Sequence, residues 1–141
     1  MPSKHSQRNV KAVVVCGSRE GASPADLEWL RRVLIDADIV IHGGCQGVDT
    51  QADEVATSLG IPTIPMTADW RRHGKAAGPV RNKDMARMLQ LLREYGHDVS
   101  VAALPGGRGT ENMKTVARRL GLAVFERKPP TSQENHESRR T

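Results

Sequence analysis

The residues of this 141-residue chain that are equipped for chemistry lie in three glycine-rich turns and one basic stretch. The turns are Gly17-Ser18-Arg19, Gly43-Gly44-Cys45-Gln46-Gly47 and Pro105-Gly106-Gly107-Arg108-Gly109-Thr110. Glycine lets an anion come close to backbone N–H groups and helix ends, and Ser18, Thr110 and Arg19 add hydroxyl and guanidinium donors. The basic stretch, from Thr67 to Lys83, holds Arg71, Arg72, Lys75, Arg81 and Lys83 against one acid, Asp69. Arg81 and Asn82 follow Gly78-Pro79 at a helix start. There arginine can pair bidentately with phosphate and asparagine can contact a ribose or a base edge, the alternative being a solvated helix end. Arg19 and Lys75 have the same choice between phosphate and solvent. Asp49 either takes a ligand hydroxyl or complements a helix dipole. Trp70 either stacks on a base or ribose or packs as a lid over the core.

Short apolar runs alternating with helical periodicity must position these residues. Val10 to Cys16 is β-branched and reads as a buried strand ending at the first turn. Ser23-Pro24 caps a helix carrying Leu27, Leu30, Val33 and Leu34 at helical spacing. Asp38 to Ile41 is a second strand, ending in His42 and the second turn; Val48 to Leu59 is a helix closed by Gly60. Ile61 to Met66 contains two prolines and therefore suits a sheet edge. After a basic loop, Val80 to Tyr95 places Met85, Met88, Leu89 and Leu92 on one face. Val99 to Leu104, the third turn, a helix over Thr110 to Leu120 and a strand over Leu122 to Phe125 complete the order. This alternation predicts an α/β, Rossmann-like three-layer sandwich around a mostly parallel five-stranded sheet. The domain is expected over residues 10–126, between a flexible N-terminus (1–9) and a disordered tail (127–141) without apolar periodicity. In such sheets ligands bind at the carboxyl ends of the strands, where all three turns are predicted to lie.

Composition narrows the partners. Lys plus Arg is 21 against 16 Asp plus Glu, for a net charge of +5, which favours an anionic partner. Aromatics are 3%, too few to build a stacking surface for single-stranded nucleic acid. No run approaches the roughly 18 apolar residues of a membrane span, and the opening MPSKHSQRN lacks the apolar core of a secretory signal, so a cytoplasmic protein without membrane contact is expected. Neither standard nucleotide motif fits. Gly74-Lys75 has Asp69 where a P-loop needs its first glycine, and Gly17-Ser18-Arg19-Glu20 breaks a dinucleotide fingerprint. His42, Cys45 and Cys16 do not have zinc-site spacing, and no nucleophile elbow is present. No metal, cofactor or catalytic residue is assigned.

Gly17-Ser18-Arg19, His42-Gly43-Gly44-x-x-Gly47-x-Asp49-x-x-Ala52, Ala68-Asp69-Trp70 with Gly74-Lys75-x-Ala77-Gly78-Pro79-x-Arg81-Asn82-x-x-Met85, and Pro105-Gly106-Gly107-x-Gly109-Thr110-x-x-Met113 follow one another along the chain. In this it resembles the YspA-related branch of the SLOG superfamily, from about Val10 to Phe125. The resemblance implies a Rossmann-like domain for nucleotides or nucleotide-derived ligands. Relatives include the Lonely Guy phosphoribohydrolases, the DNA-processing protein of natural transformation and ligand-sensing domains of bacterial and phage conflict systems. The hydrolases share the Pro-Gly-Gly-x-Gly-Thr turn and an arginine matching Arg81. Their catalytic glutamate, three residues after the threonine, is here Met113, which cannot transfer a proton. Glu111 lies about 200° away around the helix from that position; it and Asp49 are the carboxylates that could substitute.

The expected function is therefore binding of a nucleotide or nucleotide-derived ligand, as a sensor or sequestering domain. Its residues are Gly17, Ser18, Arg19, Gly43, Gly44, Gly47, Asp49, Trp70, Lys75, Arg81, Asn82, Pro105, Gly106, Gly107, Gly109 and Thr110. The alternatives are a phosphoribohydrolase-like hydrolase and a single-stranded DNA binder. Helix pairing into a homodimer through Met85, Met88 and Leu92 is a further alternative to their packing in the core.

Overall fold

The computed structural model describes residues 9–128; the stretches expected to be a flexible start (1–9) and a disordered tail (127–141) lie almost wholly outside them. Five parallel strands, β1 (Lys11–Cys16), β2 (Ile39–His42), β3 (Thr63–Pro65), β4 (Asp98–Ala103) and β5 (Ala123–Glu126), form one sheet in the order β3-β2-β1-β4-β5. The sheet is wholly parallel, and the proline-containing β3 is at its edge, where a residue without an N–H costs no ladder bond. Helices α1 (Pro24–Leu34) and α2 (Val48–Ser58) cover one face; α4 (Ala77–Glu94) and α5 (Arg108–Arg119) cover the other.

The two-residue period of β1 divides the core. Val13 and Val15 pack with Leu30, Leu34, Val48 and Ala52 on the α1/α2 side. Ala12, Val14 and Cys16 pack with Met85, Leu89, Met113 and Ala117 on the α4/α5 side. Met88 and Leu92 pack against this second cluster as well. The cap read at Ser23 is formed: its hydroxyl accepts from the amide of Asp26 at 3.1 Å, and Pro24 opens α1.

The stretch read as a basic loop contains a short helix, α3 (Trp70–His73), and a 3₁₀ turn over Gly74–Ala76. Asp69 caps α3 by accepting from the amide of Arg72 at 3.1 Å, a signal present in the sequence but obscured by the surrounding charge. α4 then begins at Ala77, before Gly78-Pro79, because proline in the first turn needs no N–H partner. At the far end, Arg127 donates its amide to the Ala103 carbonyl at 2.8 Å and its Nε to Asp26 at 3.1 Å, tying the chain after β5 to α1.

Candidate functional site

The chain leaves β1 for β2 on one side and reaches β4 on the other, so a crevice opens at the carboxyl ends of β1 and β4. The turn after β1 is bonded to the third turn and to the first residue of α2, directly after the second turn. Ser18 donates its amide to the Pro105 carbonyl at 3.2 Å and accepts at its own carbonyl from the amide of Val48 at 2.9 Å. Two glycines make this approach possible. Gly47 has φ +79°, and a Cβ there would collide with the carbonyls of Ser18 and Arg19. A Cβ on Gly106 would meet the backbone of Gly17 and Ser18 at 2.9 Å.

The assembled turns enclose a cleft of about 630 Å³. Gly17, Ser18, Arg19, Gly43, Asp49, Trp70, Lys75, Arg81, Asn82, Gly107, Gly109 and Thr110 all line it. Gly44, Gly47, Pro105 and Gly106 do not; Gly47, Pro105 and Gly106 set the contacts between turns, and Gly44 (φ +69°) lies on the outer side, near Thr67. Cys16, Glu20, Cys45, Gly78, Pro79, Met85, Arg108 and Asn112 are on the lining as well. Arg108 stands inside the third turn, whereas Asn112 lies beyond it, four residues on along α5 and on the same helix face.

The amino end of α5 opens on this cleft. Gly107 is its N-cap and makes no side-chain cap bond, so the first-turn N–H groups of Arg108, Gly109 and Thr110 have no partner within the helix. α2 also lacks a side-chain cap, but its first amide, at Val48, is used by Ser18. The positive end of the α5 dipole and its amides therefore form the anion-attracting part of the cleft.

A hydrogen-bond chain connects the floor to that end. Asp49 is buried and accepts at Oδ2 from the amide of Cys45 at 3.1 Å. Burial pushes its carboxyl above the ordinary value of 3.8, opposed by that amide and by the charge of Arg81. Arg81 donates from Nη1 to the Gly43 carbonyl at 2.6 Å, with Cys45 Sγ 3.7 Å away, and from Nε to Asn82 Oδ1 at 3.0 Å. Asn82, buried, donates from Nδ2 to the Gly109 carbonyl at 3.1 Å and to Asn112 Oδ1 at 2.9 Å. At the mouth the Arg19 guanidinium lies over the Trp70 ring, 5.9 Å from its centre, and Trp70 is 50% exposed. Trp70 thus belongs to the cleft and not to the core.

His42 lies behind the second turn. Its Nδ1 accepts from the Gly44 amide at 3.0 Å, which leaves Nε2 to carry the proton toward Asp53, 2.8 Å away. Cys16 is a buried thiol whose pKa is pushed up to about 12, first by burial and then by the charge of Asp49. Met113 is fully buried in the α4/α5 core, whereas Glu111 is exposed and pairs with Lys114 at 2.6 Å, off the cleft lining.

The profile of the YspA, cpYpsA-related SLOG family (YAcAr) matches residues 11–73, from β1 through α3. The Gene 61 protein of Mycobacterium phage D29 is 38% identical over 94 residues, 62% of this chain and 69% of that protein. The chain belongs to the YspA, cpYpsA-related SLOG family. Its fold is shared with two solved structures. DNA processing protein A (DprA) of Streptococcus pneumoniae superposes with a TM-score of 0.64 at 17% identity, over 93% of this chain and 56% of that one. The chain thus spans little more than half the length of DprA. The protein TM1055 superposes with a TM-score of 0.59 at 22% identity, over 82% of this chain and 72% of that one. The profile match takes in the turns after β1 and β2; the α4 and α5 residues of the cleft lie beyond it. Among the described residues no helix is long and apolar enough to cross a membrane.

Proposed function

We propose that this SLOG domain binds a nucleotide or nucleotide-derived ligand in the cleft, as a sensor or sequestering module. The observation that carries this reading is the uncapped first turn of α5 opening on the same cleft as the buried carboxylate of Asp49. The ligand phosphate takes the amides of Arg108, Gly109 and Thr110 together with the Ser18 and Thr110 hydroxyls. Asp49 takes a ribose hydroxyl, and Trp70 under Arg19 takes the base. Asn82 acts by positioning, since its amide is occupied by Arg81, Gly109 and Asn112.

Calorimetric titration and thermal shift with AMP, ADP-ribose, NAD, a cyclic dinucleotide and a short single-stranded DNA test it. A ligand at 100 times its Kd adds about 2.7 kcal/mol to stability. Stabilisation by a small nucleotide supports the reading; response to the oligonucleotide alone, falling steeply with salt, replaces it with nucleic-acid binding through Arg71, Arg72 and Lys75.

Asp49 favours one second reading, hydrolysis of the bound nucleotide's N-glycosidic bond. It is a carboxyl in the cleft held above its ordinary pKa by burial, as a group that exchanges protons during a reaction is. Chromatographic detection of free base from nucleoside monophosphates tests it, and absence of product above blank rejects it.

A further inference from the structure

α4 carries more apolar surface than the core uses. Met85, Ala86 and Leu89 are buried, whereas Leu91 is 54% and Tyr95 76% exposed, and Met88 and Leu92 are half-buried. Asp84, Met88, Leu91 and Tyr95 recur at spacings of four, three and four residues, the seam of a helix that packs along another helix. This flank of α4 is turned away from α5. Arg93, on the opposite flank, donates to the carbonyls of Leu120 and Gly121 at the end of α5, at 3.0 and 2.9 Å. The seam therefore faces the β2–β3 half of the sheet. α4 packs over β1 and β4, and α5 over β4 and β5, so this face of β2 and β3 has no helix centred on it among the described residues. Ile39, Ile64 and Met66 stay only partly buried there. Helix flank and sheet face together form a continuous apolar surface, of the kind that marks an interface.

The charges beside the seam select its occupant. Arg87 and Glu94 are exposed, seven residues apart and on one edge of the seam, Arg87 just before Met88 and Glu94 just before Tyr95. When two copies of a helix pair antiparallel, each edge meets the same edge of the other copy in reverse order. Arg87 then faces Glu94 of the partner subunit, and the two-fold axis forms the same pair again. The reversal also lays Met88 on the partner's Leu91 and brings the Tyr95 hydroxyl to the partner's Asp84. A parallel pair would set Arg87 beside Leu92 instead and leave the charges unmatched. The surface is thus complementary in charge and in shape to itself.

We propose that this flank of α4 is the interface of a two-fold homodimer, with the two α4 helices antiparallel and each covering the exposed apolar face of the other copy. Met85 is buried in the core and takes no part; Met88 and Leu92 serve core and interface together.

Sedimentation equilibrium of the full chain tests this. The expected mass at about 100 μM, well above the Kd of an interface of ordinary size, is twice the 15.4 kDa of one chain. Leu91→Asp should give the single-chain mass with an unchanged circular-dichroism spectrum, since Leu91 is mostly outside the core. Phe125→Asp, at an equally exposed residue on β5, should leave the dimer intact. Arg87→Glu should weaken the dimer about tenfold by setting like charges together, and Arg87→Glu combined with Glu94→Arg should restore it by exchanging the two ends of the pair. A single-chain mass for the unaltered protein, or a dimer that survives Leu91→Asp, overturns the interface. A double variant no tighter than the single reversal overturns the antiparallel pairing.

Discussion

Arg81 reaches from α4 to the turn after β2 and donates from Nη1 to the carbonyl of Gly43 across 2.6 Å. The same guanidinium is bonded to Asn82, which is bonded in turn to Gly109 on α5. Arg81 is therefore a brace between the cleft walls as well as a cation. Arg81→Ala should lose about 1.5–3 kcal/mol, the usual worth of a charge-assisted bond in a partly buried site. Thermal unfolding should fall by about 5 °C or more in a domain of this size, together with loss of nucleotide binding. An unchanged melting temperature would show that the brace carries no stability.

The two glycines at 106 and 107 are adjacent but differ in what surrounds them. A Cβ on Gly106 meets the backbone of Gly17 and Ser18 at 2.9 Å, whereas one on Gly107 meets nothing within 4 Å. Gly106→Ala should cost about 1–3 kcal/mol because backbone must move. Gly107→Ala, at an N-cap, should cost less than about 1 kcal/mol. Chemical denaturation of the two variants measures the difference, and equal costs would contradict the packing of the third turn on the first.

Asp49 should trade stability for function. Burial raises its pKa in the folded protein above 3.8, so the folded state favours the protonated form. The ionised carboxylate therefore opposes folding at neutral pH, and that cost disappears as pH falls below 3.8. Asp49→Asn keeps an acceptor for the Cys45 amide and should melt higher than the parent at pH 7, with the gain vanishing in acid. Its nucleotide affinity should drop. A lower melting temperature at pH 7 would mean that the ionised carboxylate stabilises the fold instead.

Glu126 gives the opposite pH dependence. Its pairing with Lys114 at 2.5 Å, then with Arg118, holds its carboxyl below the ordinary 4.5. The stability this contributes is present above 4.5 and is lost as pH falls through the lower folded value. Lys114→Met should flatten the acid limb of a stability-against-pH curve in that window, and an unaltered limb would show that the pair contributes no stability.

Trp70 should report ligand entry directly. It is half exposed under Arg19, while Trp29 packs against the α1/α2 core. In a Trp29→Phe background, a stacked base should quench Trp70 emission with the same Kd that calorimetry gives. Binding without any change in emission would move the base away from the mouth.

The amino-acid sequence by itself determined the order of strands and helices, because β-branched runs such as Val13-Val14-Val15, the Ser23-Pro24 cap and the closing glycines are local signals. It also located the three turns and the edge position of β3, since parallel topology places turns at one end and proline cannot serve a central strand. The short helix at Trp70–His73 was legible only in Asp69, a cap lost among five cations. Tertiary structure decided which glycines face the cleft and which fix turn against turn, because Gly47 and Gly106 look like their neighbours until Ser18 is packed beside them. It likewise bonded Arg81 to Gly43 and put Arg108 and Asn112 on the lining. Glycine and arginine have the same local chemistry in both roles; the partner that distinguishes them lies dozens of residues away and is brought near only when the sheet closes.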